Sequence, residues 1–408
     1  MSVNLEGWYQ IHFQKRDAFT IMRPTWHTGT FFAIWPITLD STTFNDAEIW
    51  AYHKQVMAEM DDLGATHTGV YNYFTDGRND LVAKIAELRA IGLKFALLDA
   101  GGYKGPDGSA LTLADNLPVL DGDTHDNGLD LRFFDTPEWD FVPEGSDALK
   151  NMVRLDPSYD GDVWDAHLNQ LAGELTTYGI GGTDAVLFDF EKWFTPHNWA
   201  RTPTQWYNFG GDPAMVADST RCGAAPTANP TADEGIAFSN YEHHWLARGR
   251  DLTNTVHDAD TKAMVLHYGE PSEEYFALRD REPPRTKNAF MPPGAGDFHN
   301  PSLYYMDDPD ALEALLNEAG GYTNAIAYVS FSYNAETGYK FIDPESTRAC
   351  AVILKSYGFI GGAEWPGWGE SNMTAINAVE PDSFANHAAF VAYYQDHLVA
   401  FLDGLNNG

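Results

Sequence analysis

Two things are scarce in this 408-residue chain, and each scarcity narrows what it can do. There are only two cysteines, Cys222 and Cys350, too few for the disulfide framework of a small secreted scaffold. Whether the two pair is left open by the sequence, and Cys350 reads as a buried helix residue. Basic side chains are scarce as well: 25 Lys and Arg face 59 Asp and Glu, a formal net charge of −34. Binding nucleic acid through phosphate contacts needs a basic surface, so no nucleic-acid partner is expected. The acidic excess reads as a strongly solvated surface suited to salt-rich water, with attraction of a cationic partner as the alternative. Long apolar runs are also missing. No stretch approaches the roughly 20 residues that cross a bilayer, and no membrane partner is expected. The opening "MSVNLEGWYQIHFQKRD" lacks the apolar centre of a signal peptide, so a secreted or periplasmic protein is expected whose targeting signal is not part of this sequence.

What is present is alternation. The strand candidates are "FFAIWPI" (31–37), "HTGVYNYF" (67–74), "LKFALLDA" (93–100), "DAVLFDFE" (184–191), "KAMVLHYG" (262–269), "SLYYM" (302–306), "AIAYVSFSY" (325–333) and "FIGGAEW" (359–365). Most are continuous apolar runs, as parallel strands covered on both faces require. Helical patterns separate them at 45–63, 79–91, 162–178, 237–257, 309–318, 344–356 and 384–403; the helix after strand five is poorly marked. In the first, Ile49, Tyr52, Val56 and Met60 recur at helical spacing. In the third, Val163, His167, Leu171 and Leu175 form one stripe. Eight strands alternating with helices predict a closed (β/α)8 barrel of the TIM type. Long irregular segments follow strand three (101–145) and strand four (194–235), on the face where such barrels build their sites. No repeat, low-complexity tract or linker divides the chain, so one catalytic barrel domain over 1–408 is expected.

The fourth strand ends in acid. In an extended strand, residues two apart share a side and lie roughly 7 Å apart, which puts Asp189 and Glu191 together. Paired carboxylates do not ionise independently: one stays charged while its neighbour holds a proton. Glycosidic cleavage needs that combination, an acid for the leaving oxygen and a charge beside the oxocarbenium-like centre. The plain alternative is a solvated strand end or a helix cap. Trp35, Tyr71, Tyr73, Tyr268, Tyr304, Tyr333 and Trp365 also fall at or near C-terminal strand ends, where rings can stack on the apolar faces of sugars. An aromatic content of 14% also puts rings into the core.

Competing chemistry is thin. "YGIGGTD" (178–184) is a helix stop before a strand rather than a phosphate loop. "YEHHW" (241–245) sets His243 and His244 on diverging directions, poor geometry for a metal. There is no G-x-S-x-G elbow and no EF-hand loop. No metal or cofactor is expected.

"VLFDFEKWFTPHNW" (186–199) resembles the strand-four signature of the hyaluronidase family of glycoside hydrolases: an apolar run, then Asp189, Phe190, Glu191, Trp193, Asn198 and Trp199. In the same order, "HYGEP" (267–271), "NPSLYYM" (300–306), "AYVSFSYN" (327–334), "GGAEWPGWGE" (361–370) and "FFAIWPI" (31–37) are similar to other strands of that family. "DAVLFDFE" is also close to the chitinase D-x-x-D-x-D-x-E, with Leu187 in place of the second Asp. The resemblance implies a (β/α)8-like barrel that cleaves hyaluronan or chondroitin internally at the N-acetylhexosamine linkage, with retention and substrate assistance. It implies Glu191 as acid/base, Asp189 as the carboxylate orienting the acetamido group, and Tyr268 as a hydrogen-bond partner near that group. It implies that Tyr304, or Tyr305 if the extra tyrosine shifts the register, lines the subsites with Trp365; Trp193 and Trp368 join that substrate-binding set. Phe194 stands where the family usually has Arg, and Glu270 where it has an aromatic.

Glu270 opens a second reading. A carboxylate at the end of strand five opposite Asp189 would complete a direct nucleophile and acid pair, with the covalent adduct on Asp189 and a substrate lacking acetamido groups, such as a sulfated fucan. A third reading is a barrel that binds carbohydrate without cutting it. Oligomeric state, sugar and linkage are open at this level.

Overall fold

The computed structural model describes residues 31–34, 46–71, 81–99, 161–188, 220–221, 234–260, 263–269, 295–318, 325–334, 337–364, 370–381 and 383–408. Its barrel strands are β1 (Phe31–Ile34), β2 (His67–Tyr71), β3 (Lys94–Asp99), β4 (Ala185–Phe188), β5 (Met264–Gly269), β6 (Phe298–Pro301), β7 (Ala325–Val329) and β10 (Phe359–Glu364). A two-stranded antiparallel hairpin, β8 (Tyr333–Asn334) with β9 (Gly338–Tyr339), intervenes before the last of them. The eight pair in parallel in the order β1-β10-β7-β6-β5-β4-β3-β2 and close on themselves. This is the expected (β/α)8 barrel. The helices are α1 (Ala47–Asp62), α2 (Leu81–Ile91), α3 (Gly161–Tyr178), α4 (Glu234–Ala259), α5 (Pro309–Glu318), α6 (Pro344–Ser356), α7 (Glu370–Val379) and α8 (His387–Asn407). Among the described residues, no helix is long and apolar enough to cross a membrane.

Register sorts every strand residue to one of two layers. Ala96, Ala185 and Met264 align across β3, β4 and β5, and Leu98, Leu187 and Leu266 align two residues further on. These residues form one buried cluster along the axis with Ala33, Phe298, Ile326 and Ala363. The alternate residues, including Phe95, Val186, Phe188 and Val265, belong to a second and larger cluster with the helices. Strands apolar on both sides follow from this double burial.

Three expectations shift. The sixth strand is "FHNP" rather than "SLYYM": Tyr268 pairs with Asn300 and Gly269 with Pro301, while Ser302 makes only an isolated bridge to Tyr328. Leu303 and Met306 are buried, but in the helix-side layer beyond the strand, where Leu303 N still donates to Tyr328 O at 2.7 Å. In α1 the inward face is Trp50, His53, Val56, Met57 and Met60, whereas Ile49 and Tyr52 are 39% and 36% exposed. Both sets have helical spacing, and only packing distinguishes them. The tenth-strand crossover carries α7, a helix absent from the expected set. Helix α3 keeps His167, Leu171 and Leu175 buried; the side chain of Val163, the segment 101–145 and nearly all of 194–235 lie outside the described residues. Cys350 is buried in α6 with a free thiol, and burial, then Asp307 and Asp308, push its pKa up to about 12.

At the N-terminal end of the barrel one device recurs. Thr66, just before β2, accepts a hydrogen bond from Phe32 N of β1 at 3.0 Å. Asp184, just before β4, accepts from Phe95 N of β3 at 2.9 Å. Asp297, just before β6, accepts from Val265 N of β5 at 2.9 Å. In each case the donor is the second residue of an odd strand, whose N–H would otherwise be buried without a partner. The two aspartates also meet a basic side chain from the preceding even helix: Arg89 of α2 reaches Asp184 at 2.5 Å, and His257 of α4 reaches Asp297 at 3.0 Å.

Three histidines are buried neutral. Burial lowers the pKa of His267 and of His397 to about 3, and burial together with His387 lowers that of His53 to about 4. Below the unfolded-state value of 6.5 the unfolded chain takes up protons that the folded one refuses, so stability falls with pH from there down to the folded values. His257 has the opposite sign: its hydrogen bond to Asp297 raises its pKa, and its contribution is lost as pH rises through that value. Chemical denaturation between pH 7 and 4 is therefore expected to show a loss of about 1.4 kcal/mol per pH unit for each buried histidine. His397→Gln is expected to lower stability at pH 7 yet flatten that slope by one proton. An unchanged slope would mean that His397 is charged when folded.

Candidate active site

The axis-facing residues near the C-terminal ends of β5, β6 and β7 are Tyr268, Asn300 and Tyr328, polar or aromatic above layers that are aliphatic except for Phe298. Tyr268 and Tyr328 are 5% and 1% exposed and meet edge to face with centroids 5.0 Å apart. Asn300 Nδ2 donates to Ile326 O at 2.7 Å, which fixes the amide, while its buried Oδ1 has no partner among the described residues. From Tyr328 the aromatic contacts continue outward: to Tyr304 at 6.1 Å, from Tyr304 to Tyr333 at 5.9 Å, and from Tyr333 to Tyr339 at 5.3 Å. The last three rings are half-buried. Tyr268, Tyr304 and Tyr333, singled out separately in the sequence, are thus joined through Tyr328 into one path of rings.

Tyr304 and Tyr305 part company. Tyr304 packs on the axis-side cluster, whereas Tyr305 packs on the helix-side cluster and its carbonyl accepts from Cys350 Sγ at 3.4 Å. Asp189, Glu191, Trp35, Tyr73, Trp193, Glu270, Trp365 and Trp368 lie outside the described residues. Tyr71 ends β2, where it pairs with Leu98, and its side chain is likewise outside the description.

Sequence reasoning missed Tyr328, Asn300, Tyr339 and Glu364. Tyr328 sits in mid-strand, where a ring looks like core. Asn300 fell just before the misplaced sixth strand. Glu364 ends β10 fully buried, and its pairing with Val329 and Ile34 puts it on the helix side rather than on the axis. There it faces α8: burial, then Glu364, push the Tyr394 phenol well above its usual range, and Tyr394 OH lies 2.7 Å from Ser332 Oγ. Among the described residues no three His, Cys, Asp or Glu gather to hold a metal.

Behind β4 and β5 the wall is stiff. His267 stacks on Phe188, centroids 5.1 Å apart, and its Nε2 lies 3.0 Å from Thr253 Oγ1 of α4. Burial, then the neighbouring His299, hold His267 neutral. Gly269, the last residue of β5, has the His299 ring where a side chain would stand: a Cβ there would lie 2.2 Å from His299 Cε1. Gly269→Ala is therefore expected to destabilise the protein by about 1–3 kcal/mol through overpacking. A lowered thermal midpoint would check this; an unchanged midpoint would show that the His299 ring gives way freely.

No family model matches the chain, and a search by sequence finds no match among curated proteins. Among solved structures the chain is similar to the catalytic domain of a β-amylase from Paenibacillus polymyxa, at 12% identity over 89% of this chain and 97% of that one, TM-score 0.41. It is also similar to an exo-β-1,4-mannosidase from Opitutaceae bacterium strain TAV5, at 11% identity over 91% and 60% of the two chains, TM-score 0.43. A third is an α-galactosidase from Geobacillus stearothermophilus, at 12% identity and TM-score 0.39, where the match covers 90% of this chain and only 42% of that one. The barrel assignment stands on the strand pairing of this chain.

Proposed function

We propose that this protein is an endo-acting, retaining glycoside hydrolase that cleaves an N-acetylhexosamine-containing polysaccharide of the hyaluronan or chondroitin kind, with the whole chain forming one catalytic barrel domain. The observation that carries the reading is the run of tyrosines at the C-terminal mouth, beside the strand whose sequence continues into Asp189 and Glu191. Aromatic rings present flat apolar surface with a polar tip, which matches the two-sided chemistry of a sugar ring.

The alternation of β4 supports the acid pair. Asp189 and Glu191 share the odd parity of Ala185 and Leu187, both members of the axis-side cluster. In the reaction, Glu191 gives its proton to the glycosidic oxygen as the bond to C1 breaks. The substrate's own acetamido oxygen closes on C1, and Asp189 orients that group and stabilises the positive charge that develops on it. Glu191, now a carboxylate, then takes a proton from the water that opens the cyclic intermediate, so configuration is retained. Tyr268 donates near the acetamido group. Tyr304 rather than Tyr305 lines the subsites, and Trp35, Tyr71, Tyr73, Trp193, Tyr333, Trp365 and Trp368 complete the binding surface.

A second reading has its own observation. Glu270 carries the even parity of Leu266 and Tyr268, also axis-side residues. Paired with Asp189, it would make the nucleophile a protein carboxylate and release the need for an acetamido group.

Reducing-end release from hyaluronan, chondroitin, chitin oligomers and sulfated fucan separates these readings. Glu191→Gln is expected to lower turnover of an acetamido-bearing polymer by at least about 10²-fold with folding intact. Retention of most turnover would sink the assignment of Glu191. Cleavage confined to sulfated fucan would move the nucleophile to the protein. Tight binding with no new reducing ends, in wild type and variant alike, would make the barrel a carbohydrate-binding protein.

A further inference from the structure

The hairpin that follows β7 has no part in closing the barrel, yet it is fastened to the mouth with unusual care. Asp307, in the turn after β6, accepts from Asn334 Nδ2 through one oxygen and from Lys340 Nζ through the other, both at 2.7 Å. Asn334 Oδ1 in turn accepts from Thr337 N at 3.1 Å within the hairpin turn, and Lys340 N donates to Ser332 O at 3.1 Å. Tyr339 and Tyr333 face each other as a cross-strand pair, and the Tyr339 hydroxyl donates to Asn372 Oδ1 of α7 at 3.3 Å. These bonds fix where the two rings stand before anything binds, and Tyr304 closes the group from below, nearly perpendicular to Tyr333 at 89°.

We propose that Tyr304, Tyr333 and Tyr339 form a separate outer subsite, a shelf that receives the apolar face of an uncharged pyranose ring further along the chain than the unit being cut. This inference rests on the glycosidase reading for its substrate, but not for its geometry. Rings held in place beforehand lose little freedom on binding, which is what makes aromatic platforms effective. The preference for a neutral ring follows from charge. The described cation at the shelf, Lys340, is neutralised by Asp307 at 2.7 Å. Among the described residues, a carboxylate or sulfate set on these rings would find the one cation at the shelf, Lys340, already paired with Asp307. On an alternating polymer the shelf therefore takes the hexosamine unit and rejects the uronate.

Calorimetric titration of the full-length protein with N-acetylglucosamine dimers and hexamers, and with a hyaluronan hexamer, tests the shelf. Tyr339→Ala is expected to weaken hexamer binding about tenfold, a loss on the scale of one aromatic contact, and to leave the dimer unchanged. Tyr339→Phe, which keeps the ring, is expected to bind within about twofold of wild type. Asp307→Asn, which removes no ring, is expected to weaken the hexamer by loosening the hairpin. Equal hexamer binding by wild type and Tyr339→Ala, at matched thermal midpoints, would overturn the shelf even if the enzyme cuts sugar. A hyaluronan hexamer bound more tightly than the neutral one through the same tyrosines would overturn the charge argument. Hexamer binding that depends on Tyr339 in a protein that cuts nothing would uphold the shelf and refute the hydrolase reading.

Discussion

A closed barrel has no edge, so each of its strand residues must face either the axis or the helical layer. That constraint organises everything else in this molecule. It explains why Leu98, Leu187 and Leu266 share one environment while Phe95, Val186 and Val265 share another. It sends the buried acid Glu364 to the helix side although it ends a barrel strand. A side chain's chemistry on such a scaffold is set first by parity and only then by type.

The same constraint decides what could be read without coordinates. The doubly covered strands were legible because burial on both sides leaves an unbroken apolar run, as in "KFALLD" and "MVLHYG". The sixth strand was not, because Asn300 and His299 occupy it, while Leu303, Tyr305 and Met306 of the apolar "SLYYM" beside it pack under the helices. Amphipathic α1 was legible as a helix but not in its orientation, since 49, 52, 56 and 60 and 50, 53, 57 and 60 are equally periodic. Helix α7, "ESNMTAINAV", was not picked out, although half of its residues are apolar. In the site, the tyrosines at strand ends were visible one by one. Their connection was not, because Tyr328, the ring that links them, lies inside a strand where sequence cannot tell an axis residue from ordinary core.

Acidity and burial act in different places here. The −34 charge is a property of the whole chain, screened by salt beyond about 10 Å. The paired interactions that matter locally, Arg89 with Asp184 and Lys340 with Asp307, sit at opposite ends of the barrel. One fastens strands; the other fastens a hairpin that carries rings. A chain with so few cations has placed these two where a single charge orients a structural element, a use that a general surface charge could not serve.

The recurring cap at the barrel floor has a consequence for how the chain can be divided. Thr66 binds β1 to β2, Asp184 binds β3 to β4, and Asp297 binds β5 to β6, and the supporting basic side chains come from the helices α2 and α4 that open the second and third of these pairs. A break in the chain after β2, β4 or β6 severs none of these bonds; a break after β1, β3 or β5 parts a cap from its strand. From β1 to β6 the molecule is in this sense built of two-stranded staves, and a fragment cut between staves keeps each cap beside the strand it serves, while one cut within a stave parts them.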